Sequence, residues 1–161
     1  MSVRRPALTG TRATTVVAIL LAMLASGPAG AALSCTVSAT PVAFGQYSPL
    51  AAADLDSTGN VQVACDGGKG QVTIQLSPGA SGDANDRRMY SGASFLQYNL
   101  YDRAARNQVW GDGAGGTRTV RFNVPKNQPI SYDATVYGRI FAGQSPAAGF
   151  YVDNIVVTVL F

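Results

Sequence analysis

Every acidic side chain of this 161-residue chain is an aspartate, nine in all, and the sequence contains no histidine. General acid–base chemistry ordinarily recruits His or a Glu tuned toward neutrality, and a Ser-His-Asp relay cannot be assembled without His. The aspartates sit among Gly, Asn and Ser, as in Asp54-Leu55-Asp56-Ser57 and Asp112-Gly113, where turn hydrogen bonding accounts for them. Asp83-Ala84-Asn85-Asp86 comes nearest to a cation loop, but it lacks the ligand spacing and closing Glu of a Ca²⁺ site. Gly111 to Gly116 has the glycines of a phosphate cradle without its Lys-Ser/Thr. This composition points away from an enzyme, and we expect neither a cofactor nor a bound metal.

The remaining reactive pair is Cys35 and Cys65, the two cysteines of the chain. An even count in an exported protein reads as one disulfide, which removes both sulfurs from nucleophilic or thiolate duty. Export is indicated by Arg4, Arg5 and Arg12 around an apolar run, Ala13 to Ala25, followed by Gly27-Pro28 and the small-residue stretch Ala29-Gly30-Ala31. The run is too short for the ~20 residues that span a bilayer and fits a secretory signal peptide over residues 1–31. Those three arginines account for the whole formal charge of +3. The domain expected over 32–161 is therefore neutral, with no basic cluster to attract nucleic acid and no membrane span.

What must position these residues is a set of strands. Val61, Val63 and Cys65 alternate, then Val72, Ile74 and Leu76 after Asp66-Gly67-Gly68, so residues 59–65 and 70–77 read as a hairpin. Pro78 to Gly92 reads as a long surface excursion, with Arg87-Arg88 as an exposed basic patch. Leu96, Tyr98 and Leu100 share a parity; so do Val120, Phe122 and Val124, and Ala134, Val136, Gly138 and Ile140. Tyr98 and Tyr101 lie on opposite parities, so one of them at most is expected to point inward. Tyr151, Ile155, Val157, Val159 and Phe161 alternate to the last residue, interrupted by Asp153. This describes a strand buried on one face or more, whose partner comes from earlier in the chain or from another molecule. Short strands separated by frequent turn signals specify an all-β sandwich, with a barrel as the structural alternative. Trp110, before a Gly-Asp-Gly turn, is either a core residue or a platform on which a ligand stacks.

Several blocks resemble the spore coat protein U domain family. Tyr98-Asn99-Leu100-Tyr101-Asp102, Ala105-Arg106 and Val109 to Gly113 are similar to its central signature. Tyr137-Gly138-Arg139-Ile140, Ala142-Gly143-Gln144, Ala148 to Tyr151 and Val156 to Val159 resemble its C-terminal block. Phe44-Gly45-x-Tyr47 lies between cysteines placed where that family pairs them. The resemblance implies a structural subunit of an archaic (Csu-type) chaperone–usher pilus or of a spore coat-like surface assembly, acting in adhesion or biofilm formation, with an immunoglobulin-like sandwich lacking one strand. It also implies the partners: a periplasmic pilus chaperone, an outer-membrane usher and neighbouring pilin subunits. Tyr151, Ile155, Val157, Val159 and Phe161 would then line a groove, and the backbone of 152–160 would pair with an incoming strand by β-augmentation. Cleavage at Ala31 would leave Ala32-Leu33-Ser34 before Cys35, too little to donate a strand, which implies a tip or terminating subunit. The reading from a different class is a self-sufficient secreted carbohydrate-binding sandwich that uses Trp110.

Overall fold

Alternating segments become eight antiparallel strands in the computed structural model, which describes residues 31–161. The leader expected over 1–31 lies outside the described residues except for Ala31. The strands are β1 (Leu33–Thr40), β2 (Leu55–Gly67), β3 (Gly70–Leu76), β4 (Arg87–Ser91), β5 (Ser94–Tyr101), β6 (Val120–Val124), β7 (Ile130–Ile140) and β8 (Val157–Leu160). They form a five-stranded sheet in the order β1-β2-β7-β5-β4 and a three-stranded sheet in the order β6-β3-β8. The two sheets face each other as a sandwich, the all-β class that the periodicity specifies.

The parity read from the sequence decides which side chains meet between the sheets. Val61, Val63 and Cys65 of β2, Val72, Ile74 and Leu76 of β3, and Leu96, Tyr98 and Leu100 of β5 are all buried in one core. Phe122 and Val124 of β6 and Ala134, Val136 and Ile140 of β7 complete it. Burying a Val, Leu or Ile side chain contributes about 1.5–3 kcal/mol, so this apolar seam dominates the stability of the fold. Phe122 stacks on Tyr132 with ring centroids 4.5 Å apart, tying β6 to β7 across the sandwich. Cys35 and Cys65 are direct cross-strand neighbours of β1 and β2 and are joined as a disulfide.

Four local expectations need correction. Residues 59–65 and 70–77 are not a hairpin: β2 pairs with β1 and β7, whereas β3 pairs with β6 and β8 in the other sheet. Gly67, at φ +86°, lets the chain turn a corner between the sheets instead of folding back within one. The excursion 78–92 contains β4, which pairs with β5 from Arg87↔Tyr98 to Ser91↔Ser94. Asp56 belongs to strand β2 and not to a turn. Its carboxylate accepts from Arg139 Nε and Nη2 at 2.8 and 2.9 Å, while Asp112 and Asp83 do cap turns through the N–H groups of Ala114 and Asn85. Tyr98 and Tyr101 need no correction: as their parities require, only Tyr98 points into the core, and Tyr101, also buried, lies on the outer face of β5 among Asp54, Asp56, Arg106 and Arg139.

The fourth correction concerns Arg87, which is fully buried. Its guanidinium donates to Ser77 O from Nε and Nη2 (3.2 and 2.8 Å), to Trp110 O from Nη2 (2.8 Å), and from Nη1 to Ala84 O (3.2 Å) and Asn99 Oδ1 (2.9 Å). One planar fork thus satisfies three carbonyls in two connecting segments, β3–β4 and β5–β6, and the Asn99 side chain of β5. Burial pulls its pKa down from the ordinary guanidinium value, since every direct acceptor is neutral.

Candidate functional site

A complete sandwich buries the inward faces of its edge strands about as well as its centre, and this one does not along one side. In the smaller sheet the inward residues of β3, Val72, Ile74 and Leu76, are 0–2% exposed. Their neighbours on β8 are not: Val157 and Val159 are half-buried, and Ile155 just before the strand is as well. In the larger sheet Val37 of β1 lies opposite Val63 and shares its face. Val63 is 0% exposed, yet Val37 is 45% exposed. Core-facing residues on both edges therefore lack cover.

The backbone is open where the side chains are. Among the described residues β8 pairs with β3 alone and β1 with β2 alone. Val156 O accepts from Ser77 N at 2.9 Å, so residues of its parity aim their peptide groups at β3. Alternation then sends the N–H and C=O groups of Ile155, Val157 and Val159 to the free side. An edge with apolar side chains and unpaired backbone is a template for another strand.

Between these edges is a cleft of about 460 Å³, lined by Ala39 to Val42 and Phe44 on one side and by Tyr151 to Ile155 and Val157 on the other. Core residues Val61, Leu76, Leu100 and Val136 form its floor. A second recess of about 770 Å³ adjoins it, sharing Val42, Phe44, Met89 and Tyr151. The wall at 42–44 lies flat on β7 because position 138 is glycine: a Cβ there would come within 2.6 Å of Phe44 Cζ and of Val42 Cγ1. Phe44 also meets Tyr98 edge to face, centroids 6.0 Å apart.

The opposite wall is anchored at two points. Val152 exchanges hydrogen bonds with Tyr90 of β4, N to O at 2.9 and 3.2 Å. Asp153 then turns inward: Oδ2 accepts from the Tyr98 hydroxyl at 2.8 Å, and Oδ1 accepts from Ala80 N at 2.9 Å and Asn154 N at 2.8 Å. Gly79 leaves room for it, since a Cβ there would overlap the carboxylate. Burial first, and the hydrogen bond to Asp153 second, push the Tyr98 phenol far above its ordinary pKa. The polar break in the apolar ladder is a clamp that carries the chain from one sheet to the other.

Of the residues singled out from the sequence, Tyr151, Ile155 and Val157 line the cleft. Val159 packs half-buried against the core on the same face, beyond the cleft lining, and Phe161 is 59% exposed. Regular strand covers Val157–Leu160 only, because Val152 is engaged by β4 and the intervening residues cross between sheets. Trp110 has no exposed ring face; it is 0% exposed and its Nε1 donates to Ile74 O at 3.1 Å. The stacking role is thereby corrected to a core role, and the carbohydrate-module reading loses its platform. The reading from sequence missed Asp153 and the 39–44 wall. Asp153 stood out as the lone polar residue on its parity, whereas in 39–44 only Phe44 was marked, by the family resemblance and not as a wall, since its place depends on a contact with Gly138 more than 90 positions away in the chain.

The model for the Spore Coat Protein U domain matches residues 20–158. The chain belongs to the Spore Coat Protein U domain family. It is 32% identical over 131 residues to Protein U of Myxococcus xanthus, an alignment covering 73% of this chain and 70% of that protein. Its fold is similar to a chain in the crystal structure of the CsuC–CsuE chaperone–tip adhesion subunit pre-assembly complex from archaic chaperone–usher Csu pili of Acinetobacter baumannii. That similarity has a TM-score of 0.56 at 24% identity and covers 81% of this chain and 40% of that one. In this Spore Coat Protein U domain the signature around Tyr137-Gly138-Arg139 serves both faces of β7. Gly138 admits the cleft wall, and Arg139 fastens β7 to β2 through Asp56.

Proposed function

We propose that this chain is a non-enzymatic structural subunit of a surface fibre or coat of the chaperone–usher kind, completed by an extended strand that enters the cleft between β1 and β8. The observation that carries the reading is the pair of unpaired edges flanking exposed core side chains. The strand comes first from a periplasmic chaperone and then from a neighbouring subunit, with an outer-membrane usher between the two stages. Export to the periplasm and display at the cell surface follow from that route. The occupant gains backbone hydrogen bonds from Ile155, Val157 and Val159 and buries alternate side chains on Leu76 and Val136. The finer reading, a tip or terminating subunit acting in adhesion or biofilm formation, draws its support from the tip adhesion subunit in the similar complex. Immunogold labelling confined to fibre ends is the result expected for it.

The test is co-expression. Produced alone in a periplasm, the chain is expected to aggregate or be degraded; produced with its cognate periplasmic chaperone, it is expected to purify as a soluble heterodimer. A stable monomer that ignores the chaperone would overturn the proposal.

A further inference from the structure

The cleft carries one formal charge. Its lining is apolar apart from Asp153, a few neutral polar side chains and two tyrosines. Among the described residues Asp153 has no Lys or Arg within ion-pairing distance, unlike Asp54, Asp56, Asp86 and Asp102; the cation that feels its charge, Arg87, is buried and hydrogen-bonded to other acceptors. Its three hydrogen bonds leave Oδ2 with a single donor, the Tyr98 hydroxyl. A carboxylate accepts about four, so one acceptor direction is still open at a group that lines the cleft. An anion at the rim of an apolar cleft favours a cation in the molecule that covers it, and the pair strengthens as water is excluded.

We propose that Asp153 is a specificity-determining residue for the incoming strand: the occupant presents a Lys or Arg side chain at the inward position facing Asp153. The apolar residues of that strand lie over Val157 and Val159. The inference rests on the strand-accepting reading above and adds charge selection at one defined position. Asp153 sits four residues before Val157, a span of ~13 Å in extended chain, so the cationic residue follows or precedes the apolar alternation and does not interrupt it.

The test uses the chain held soluble as its complex with the periplasmic chaperone, and three synthetic peptides of about ten residues that compete for the cleft. One alternates apolar residues and ends its inward series in Lys, one carries norleucine in place of that Lys, and one has the alternation scrambled. Affinities are read from the peptide concentration that displaces the chaperone. The Lys peptide is expected to bind about tenfold more tightly than the norleucine peptide. In Asp153→Asn, which keeps acceptor and donor capacity for Ala80 and Tyr98, that preference is expected to vanish. Tyr98→Phe is expected to retain it, separating charge selection from the clamp. Equal binding of the Lys and norleucine peptides, both above the scrambled one, overturns the role of Asp153 and leaves the groove reading standing. Binding of none beyond the scrambled peptide overturns both.

Discussion

Arg87 shows how far a single side chain can depart from what its neighbours in sequence suggest. Beside Arg88 and after Asp-Ala-Asn-Asp it reads as surface charge, but five hydrogen bonds to neutral acceptors make it the junction of two loops and strand β5. Removing it strands those buried acceptors, at about 1–3 kcal/mol each, partly offset by relief of the buried cation's desolvation. Arg87→Met is therefore expected to lower unfolding free energy by about 3 kcal/mol in urea titration. Lys at this position should recover little, lacking the planar fork. Protonation gives a second residue-level prediction. The hydrogen bond from Arg139 to Asp56, and that from Arg88 to Asp86, hold both carboxyls below the usual range. Groups with lowered folded pKa support the fold above about pH 4, and the support drains away as pH falls through the lowered values. Tyr98 acts in the opposite sense: its raised pKa supports the fold below about pH 10 and the support is lost as pH rises further. Tm is expected to fall at both extremes, with Asp56→Asn reducing the acid loss and Tyr98→Phe reducing the alkaline loss.

At the scale of the element, β8 carries the functional argument. Its inward residues Val157 and Val159 flank the open seam while Thr158 and Leu160 face outward. A charge placed inward destroys the apolar surface that a donor strand covers; a charge placed outward meets water. Val157→Asp is expected to abolish co-purification with a periplasmic chaperone, and Thr158→Asp to leave it nearly unchanged, as judged by pull-down against the native chain. Loss in both variants would mean that β8 acts by stability alone. The strand was legible because period 2 is a local property. Its short length was not, since Val152 is diverted by Tyr90 and residues 153–156 cross the end of the sandwich. Strand β4 was hidden for a related reason: Arg87-Arg88-Met89-Tyr90 lacks an apolar alternation, and its inward partners are a buried guanidinium and Met89.

Across the whole molecule, the disulfide and the open side belong together. Among the described residues β1 is an edge strand paired on one side only, and Cys35–Cys65 fixes it to β2 across 30 positions of sequence. Closing such a loop contributes about 3–4 kcal/mol in the chain-entropy model. Reduction, or the double replacement Cys35→Ser/Cys65→Ser, is expected to lower unfolding free energy by that order and to release β1 first, which hydrogen exchange at Thr36 and Ser38, whose N–H groups face β2, would register. Local chemistry was enough to establish the all-β class, the inward parity of six strands and the absence of histidine-based catalysis, because alternation and composition need no knowledge of distant contacts; the choice of sandwich over barrel needed the sheets. Sheet membership, the burial of Arg87 and Trp110, the Asp153 clamp and the cleft depend on which strands meet. A turn such as Asp66-Gly67-Gly68 has the same residues whether the chain folds back in one sheet or crosses to the other, and only packing of the whole core selects between them.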